Sequence, residues 1–244
     1  MKTREKIKTN NYWQFYKGNV EGAENVGYND TNWETVHLPH TPQIEDIDVV
    51  RHFQGICWYR KKLTPDPMWK GKKLFIEFEA AMQVADVWVN GKHITTHYGG
   101  YLPFIIDISD IDFDSENIIA VRLDNSDNAD VPPGKPLGKL DFCYFGGLYR
   151  NVWLHVLNDV HISNAVYANK PASGGVFVRY ENVNGQSADV VVETHVVNYG
   201  DKENKVTLQS VLVDAKGNVV CTTKSNEKNN KRVRRSCFFR SFAC

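Results

Sequence analysis

The chain has 244 residues, with 12% aromatics and six Trp, enough apolar material for one or two packed domains. No apolar run approaches the roughly 18 residues needed to span a bilayer, so no membrane role is expected. The formal charge of zero hides an asymmetry, since residues 224–244 hold seven Lys/Arg against one acid and leave 22 basic and 28 acidic side chains elsewhere. A mildly acidic body does not read as a nucleic-acid binder.

In chain order, MKTREKIKTNNYWQF (1–15) carries basic residues with no apolar segment behind them and is not a secretory signal as it stands. A cytoplasmic location is slightly favoured, and a periplasmic one stays open. Long helical periodicity is missing, while short alternating runs bounded by turn residues recur. KLFIEFEA (73–80) is a strand, and VADVWV (84–89) is another. Asn90-Gly91 then predicts a two-residue hairpin returning through 92–97. NIIAVRLDN (117–125) and NVWLHVL (151–157) complete a first group. Strands at this spacing predict an all-β sandwich or jelly roll. Past Asn158-Asp159 come GVFVRYENV (175–183), ADVVVETHVVNYG (188–200) and KVTLQSVLVDAKGNVVCTTK (205–224), the last folding back at Asp214-Ala215-Lys216-Gly217 through a type I turn with a bulge.

The predicted domains are 1–158, a jelly roll; 159–225, too short for a full immunoglobulin-like sandwich and therefore incomplete; and 226–244, a basic tail that matches no element. The tail reads as disordered or frame-shifted, with KRVRR as a nuclear-import or nucleic-acid patch the third reading. The five cysteines show no CxxC and no regular spacing, so neither a disulfide framework nor a zinc site is indicated. The eight histidines lack metal spacing.

One stretch raises a functional question. GKLDFCYFGGLYRNVWLHV (138–156) sets Asp141 among aromatics and follows it with Gly146-Gly147, just before a buried strand. Either the acid is solvated at a tight corner, or it is aimed at a ligand. The Pro- and Gly-rich VPPGKPLGKLD (131–141) leads into it as a stiff loop, either plain surface or the cover of a site. Trp33, Trp88 and the Trp58–Tyr59 pair read as packing residues, and His40 as a turn histidine or a cleft wall.

Four motifs in order resemble the N-terminal region of glycoside hydrolase family 2. They are DTNWETVHLPHT (30–41), GICWYRKKL (55–63), VADVWVNGKHITTHYGGYLPFIIDISD (84–110) and FGGLYRNVWL (145–154). The resemblance, β-galactosidase-like in tone, implies a galactose-binding-like jelly-roll β-sandwich followed by a partial immunoglobulin-like β-sandwich. It places the chemistry in a third domain, a TIM barrel with two glutamates, whose carboxyls in a retaining glycosidase stand about 5–5.5 Å apart. This chain ends before such a barrel, so by itself it is expected to be inactive. Asn226-Glu227 matches the family's acid/base dipeptide only by coincidence, with no barrel strand around it.

The resemblance further implies that Asp141 reaches into the barrel's active site, accepts hydrogen bonds from sugar hydroxyls and helps hold a monovalent cation, Na+ in the complete enzyme. An ionised carboxylate suits this because it only accepts and can take two hydroxyl protons. No other cofactor is implied. The family's second sugar contact, an asparagine just before the 55–63 strand, is missing; Gln54 and His52 are the substitutes, which leaves galactose specificity open. The implied partners are a galactoside or related glycoside, the TIM barrel and a second copy of the chain. Two other readings stay open: a stand-alone carbohydrate-binding module using Tyr98, Tyr101, Phe142, Tyr144 and Phe145 as a stacking platform, and a structural or oligomerisation sandwich.

Overall fold

Strands of alternating burial, such as Arg4–Lys8, Val84–Val89 and Phe104–Asp107, and nearly continuously buried ones, such as Asn117–Asp124, build the first unit's two sheets. The structure, a computed structural model, describes residues 4–42, 53–171, 174–230 and 237–243. It divides into units 1–156 and 157–244. The first unit contains β1 (Arg4–Lys8), β2 (Trp13–Lys17), β3 (Glu34–Val36), β4 (Ile56–Leu63), β5 (Lys73–Phe78), β6 (Val84–Val89), β7 (Lys92–Tyr98), β8 (Phe104–Asp107), β9 (Asn117–Asp124) and β10 (Val152–Leu157). One sheet has the order β3-β2-β4-β9-β6-β7 and the other β1-β10-β5-β8.

One apolar cluster joins their facing sides. Trp13, Phe15, Tyr59, Val87, Val121 and Leu123 come from the six-stranded sheet, and Leu74, Ile76, Phe78, Ile106 and Leu154 from the four-stranded one. Two sheets sharing one core make a sandwich. The predicted hairpin sits between β6 and β7, where Asn90 and Gly91 have φ of +51° and +79°, as a type I′ turn requires. Asn90 is also tied across the sheet, its Nδ2 donating to Asn117 Oδ1 at 2.7 Å and its Oδ1 accepting the Ile118 N–H at 2.8 Å.

The outer face of the six-stranded sheet carries a second, smaller cluster of Ala23, Trp33, Trp58 and Ala120, with Trp88 packed against it. Trp58 stacks on Trp88 with centroids 5.3 Å apart. Trp88 is thus a packing residue on this outer face and only half-buried, because its neighbours Val87 and Val89 take the inner positions. Arg60 is buried on β4, its Nε donating to Asp30 Oδ2 at 2.8 Å and its Nη1 to the carbonyls of Ala23 and Asn25. These partners make the buried charge tolerable and tie the 18–33 segment to the sheet.

In the second unit, β11 (Val160–Ile162), β12 (Val176–Glu181) and β13 (Asp189–Asn198) form an antiparallel sheet, with a single helical turn at Ala165–Ala168 between β11 and β12. β14 (Asn204–Val206) pairs with β17 (Lys228–Asn230), and β15 (Gln209–Val213) with β16 (Val219–Lys224). The predicted turn joins the last two, with Gly217 at φ +85° and Asp214 Oδ1 accepting the Lys216 and Asn218 N–H groups. The sequence reading gives 226–244 no element. In the structure β17 and β18 (Cys237–Ala243) are strands, and β18 pairs with β13 from Val190 to Val196. The physical reason is the edge of β13, whose N–H and C=O groups need partners that alternation in the tail does not advertise. Among the described residues no helix is long and apolar enough to cross a membrane.

Candidate functional site

A cleft of about 730 Å³ opens on the first unit, lined by Glu34 of β3, by Pro39–Pro42, by Met82 and Tyr101, and by Cys143–Phe145 with Tyr149 and Arg150. Each group comes from a connection or strand end fixed by backbone bonds. His40 N–H donates to Leu148 O at 2.9 Å, and Met82 and Gly147 exchange both bonds at 3.1 and 3.2 Å. The Tyr149 hydroxyl donates to Gly100 O.

The paired glycines now have a reason. A Cβ on Gly146 would stand 2.4 Å from Asn125 Nδ2. At Gly147, where φ is +98°, a Cβ would meet His40 O at 2.6 Å and Tyr59 Oη at 2.7 Å. Only glycine permits this approach and this backbone. At Gly100 a Cβ would overlap the thioether of the cleft-lining Met82.

The cleft-lining His40 meets the buried Tyr59, with His40 Nδ1 2.8 Å from Tyr59 Oη. Burial holds the His40 imidazole below its ordinary pKa, partly opposed by the Glu34 carboxylate. Burial also pushes the Tyr59 phenol well up, although the Leu148 N–H points at its oxygen. Of the two readings of His40, turn histidine or cleft wall, its place in the lining matches the second.

Asp141 is exposed, two residues before the cleft-lining Cys143. Gln54 Nε2 donates to Asp127 Oδ1 at 2.7 Å, and Asp127 Oδ1 also accepts the Leu137 N–H at 2.9 Å. Those two hydrogen bonds hold the Asp127 carboxyl below its usual range. Gln54 also hydrogen-bonds the Tyr144 side chain. Its amide nitrogen is thereby committed to anchoring the 131–141 loop that leads to Asp141. His52 lies outside the described residues. Of the platform aromatics, Tyr98, Tyr101, Phe142 and Phe145 are exposed, whereas Tyr144 is only 6% exposed. Glu34, Met82, Tyr149 and Arg150 were not singled out in the sequence; Tyr149 and Arg150 lie inside the quoted FGGLYRNVWL motif, which was the available signal.

Among the described lining residues Glu34 is the one carboxylate, so they do not contain the two-carboxylate pair of a glycosidase. No group of three or more His, Cys, Asp or Glu among the described residues could hold a metal ion. Asp141 is therefore not part of such a group among the described residues.

A sandwich whose strand connections shape an aromatic-lined cleft belongs to the class of sugar-binding β-sandwich domains. The model of the family described as glycosyl hydrolases family 2, sugar binding domain, matches residues 19–158. The chain belongs to this family. It is 37% identical over 230 residues to a β-glucuronidase of Formosa agariphila, covering 88% of this chain and 23% of that protein. It is likewise 37% identical over 168 residues to a β-galactosidase of Thermoanaerobacter pseudethanolicus, covering 67% of this chain and 22% of that protein. Among solved structures, Bacteroides uniformis β-glucuronidase 2 covalently bound to cyclophellitol-6-carboxylate aziridine superposes with a TM-score of 0.88 at 28% identity, over 99% of this chain and 28% of that one. The chain thus spans roughly a quarter of the length of these relatives.

Proposed function

We propose that this chain is the sugar-contacting, non-catalytic N-terminal region of a retaining glycosidase, and that its cleft holds part of a glycoside while a TIM barrel supplies the two carboxylates. The observation that carries this reading is the cleft itself: three of the four stretches that carry the family resemblance contribute to its walls, through Glu34 and Pro39–Thr41, through Tyr101, and through Phe145, Tyr149 and Arg150. Apolar and aromatic walls with a few fixed polar groups suit a sugar, whose ring faces stack and whose hydroxyls need directed partners. In this reading Asp141, exposed and two residues before the cleft-lining Cys143, accepts hydrogen bonds from sugar hydroxyls, and Gln54 positions its loop through Asp127. In the complete enzyme a sodium ion at Asp141 would take its remaining ligands from outside the described residues. Support of the barrel, assembly with a second copy, and the choice between galactoside and glucuronide belong to the same reading.

The test is an equilibrium titration of the chain with methyl β-galactoside and methyl β-glucuronide, repeated with Asp141→Asn. Weak saturable binding to one of them, reduced about tenfold in the variant, is the expected result. A variant that binds as well as the parent chain removes Asp141 from the site. The exposed Tyr98, Tyr101, Phe142 and Phe145 favour one second reading, a free-standing carbohydrate-binding module. Submillimolar affinity in the isolated chain would select it.

A further inference from the structure

Three groups, of which His40 lines the cleft, form a directed line. Tyr59 is fully buried. The Leu148 N–H donates to its phenolic oxygen, and its Oη lies 2.8 Å from His40 Nδ1. A hydroxyl that already accepts one N–H still has its own proton to place, and burial denies it water. Among the described residues His40 Nδ1 is the acceptor within reach. The Tyr59 proton therefore points to Nδ1, which must be the unprotonated nitrogen. A neutral imidazole then carries its proton on Nε2. Burial disfavours the imidazolium form of His40.

His40 is half-buried, with its ring edge-on to Phe15 at 4.6 Å and its Nδ1 side on Tyr59. The residue as a whole is part of the cleft lining. We infer that His40 is locked as the Nε2–H tautomer and acts as a fixed hydrogen-bond donor to an oxygen of the bound glycoside, with Tyr59 as the positioning residue. The inference rests on the glycoside reading for its ligand, while the tautomer stands on the hydrogen bonds alone. A donor of fixed sense selects ligands that present an acceptor oxygen there, and Glu34 on the same cleft supplies an acceptor of the opposite sense. Gly147 is a condition of the arrangement, because a Cβ there would press on both Tyr59 Oη and the His40 carbonyl.

The experiment is long-range ¹H–¹⁵N correlation of the histidine side chains in the full ¹⁵N-labelled chain, with His40 assigned by its disappearance in His40→Gln. At neutral pH His40 is expected to show one protonated nitrogen, Nε2, and one unprotonated, Nδ1. In Tyr59→Phe the two nitrogen shifts should move toward each other as the tautomers mix. A wild-type spectrum of the Nδ1–H form, or of an even mixture, overturns the lock even if Tyr59→Phe does not fold. Methyl β-galactoside and methyl β-glucuronide are then added. A moving Nε2–H signal, together with about tenfold weaker binding in His40→Phe and partial rescue in His40→Gln, supports the donor role. Cleft amides that respond while Nε2–H stays still overturn the donor role and leave the glycoside reading intact. A chain that responds to neither sugar overturns that reading and the donor role together, with the tautomer result still separately readable.

Discussion

At Gly147 the chain runs at φ +98° with backbone and a phenol against the place where a side chain would start. Left-handed backbone at a non-glycine residue costs on the order of 1–3 kcal/mol, and here the contacts at 2.6 and 2.7 Å add to it. Gly147→Ala is therefore expected to lower stability by at least that amount in urea unfolding. Gly138→Ala, whose Cβ would meet nothing within 4 Å, should lie close to the parent chain. A second residue-scale prediction concerns charge. Arg60 and Asp30 pair in near-complete burial, whereas Lys62 and Glu116 pair in the open with side chains 59% and 46% exposed. Asp30→Ala strands a buried guanidinium and should cost about 3–5 kcal/mol. Glu116→Ala should cost less than about 1 kcal/mol. Equal effects in the two variants would contradict the account of how the 18–33 segment is held.

Strands were the readable level of this chain, and the reasons are local. Asn90-Gly91 was legible because a type I′ turn depends on two adjacent residues tolerating positive φ. The pattern of β6 was legible because its alternation has a period of two. Asp141 and its glycines were legible as a motif, yet the reason for Gly147 was not, since it lies in His40 and Tyr59, far away in sequence. The cleft's polar line was hidden for the same cause: a 2.8 Å contact between residues on different elements leaves no periodic trace. On the four-stranded sheet, the pairing of β5 and β10 creates a further property of this kind. Glu77 of β5 lies 2.6 Å from His155 Nε2 of β10 and 3.1 Å from Lys6 Nζ of β1. The His155 hydrogen bond first, and Lys6 after it, hold the Glu77 carboxyl below its ordinary 4.5. A carboxyl whose folded pKa is depressed contributes stability above its unfolded value and loses it as pH falls through the folded one. The first unit should therefore lose stability as pH drops below about 4.5, and Glu77→Gln should flatten that part of the profile. Identical acid profiles for the two proteins would remove Glu77 from the explanation.

Across the whole molecule the two units differ in how they are secured. The first has a core shared by two sheets, and the second relies on small sheets centred on β13. Composition announced the change near residue 158, but a basic tail gives no hint that Cys237–Ala243 pairs along β13. A chain ending at Asn230 should show amide exchange in β13 faster by about tenfold or more, with the first unit's protection unchanged. Unchanged exchange in β13 would mean that the β18 pairing contributes nothing to it. The central claim remains that the cleft of the first unit takes a glycoside. It is tested most directly by mapping ¹H–¹⁵N shifts of the full chain during titration with methyl β-galactoside and methyl β-glucuronide. Saturable changes gathered at 39–42, 82, 101 and 143–150 are predicted for at least one of the two sugars. No change there at concentrations well above those that saturate a millimolar site, or changes gathered elsewhere, would contradict it.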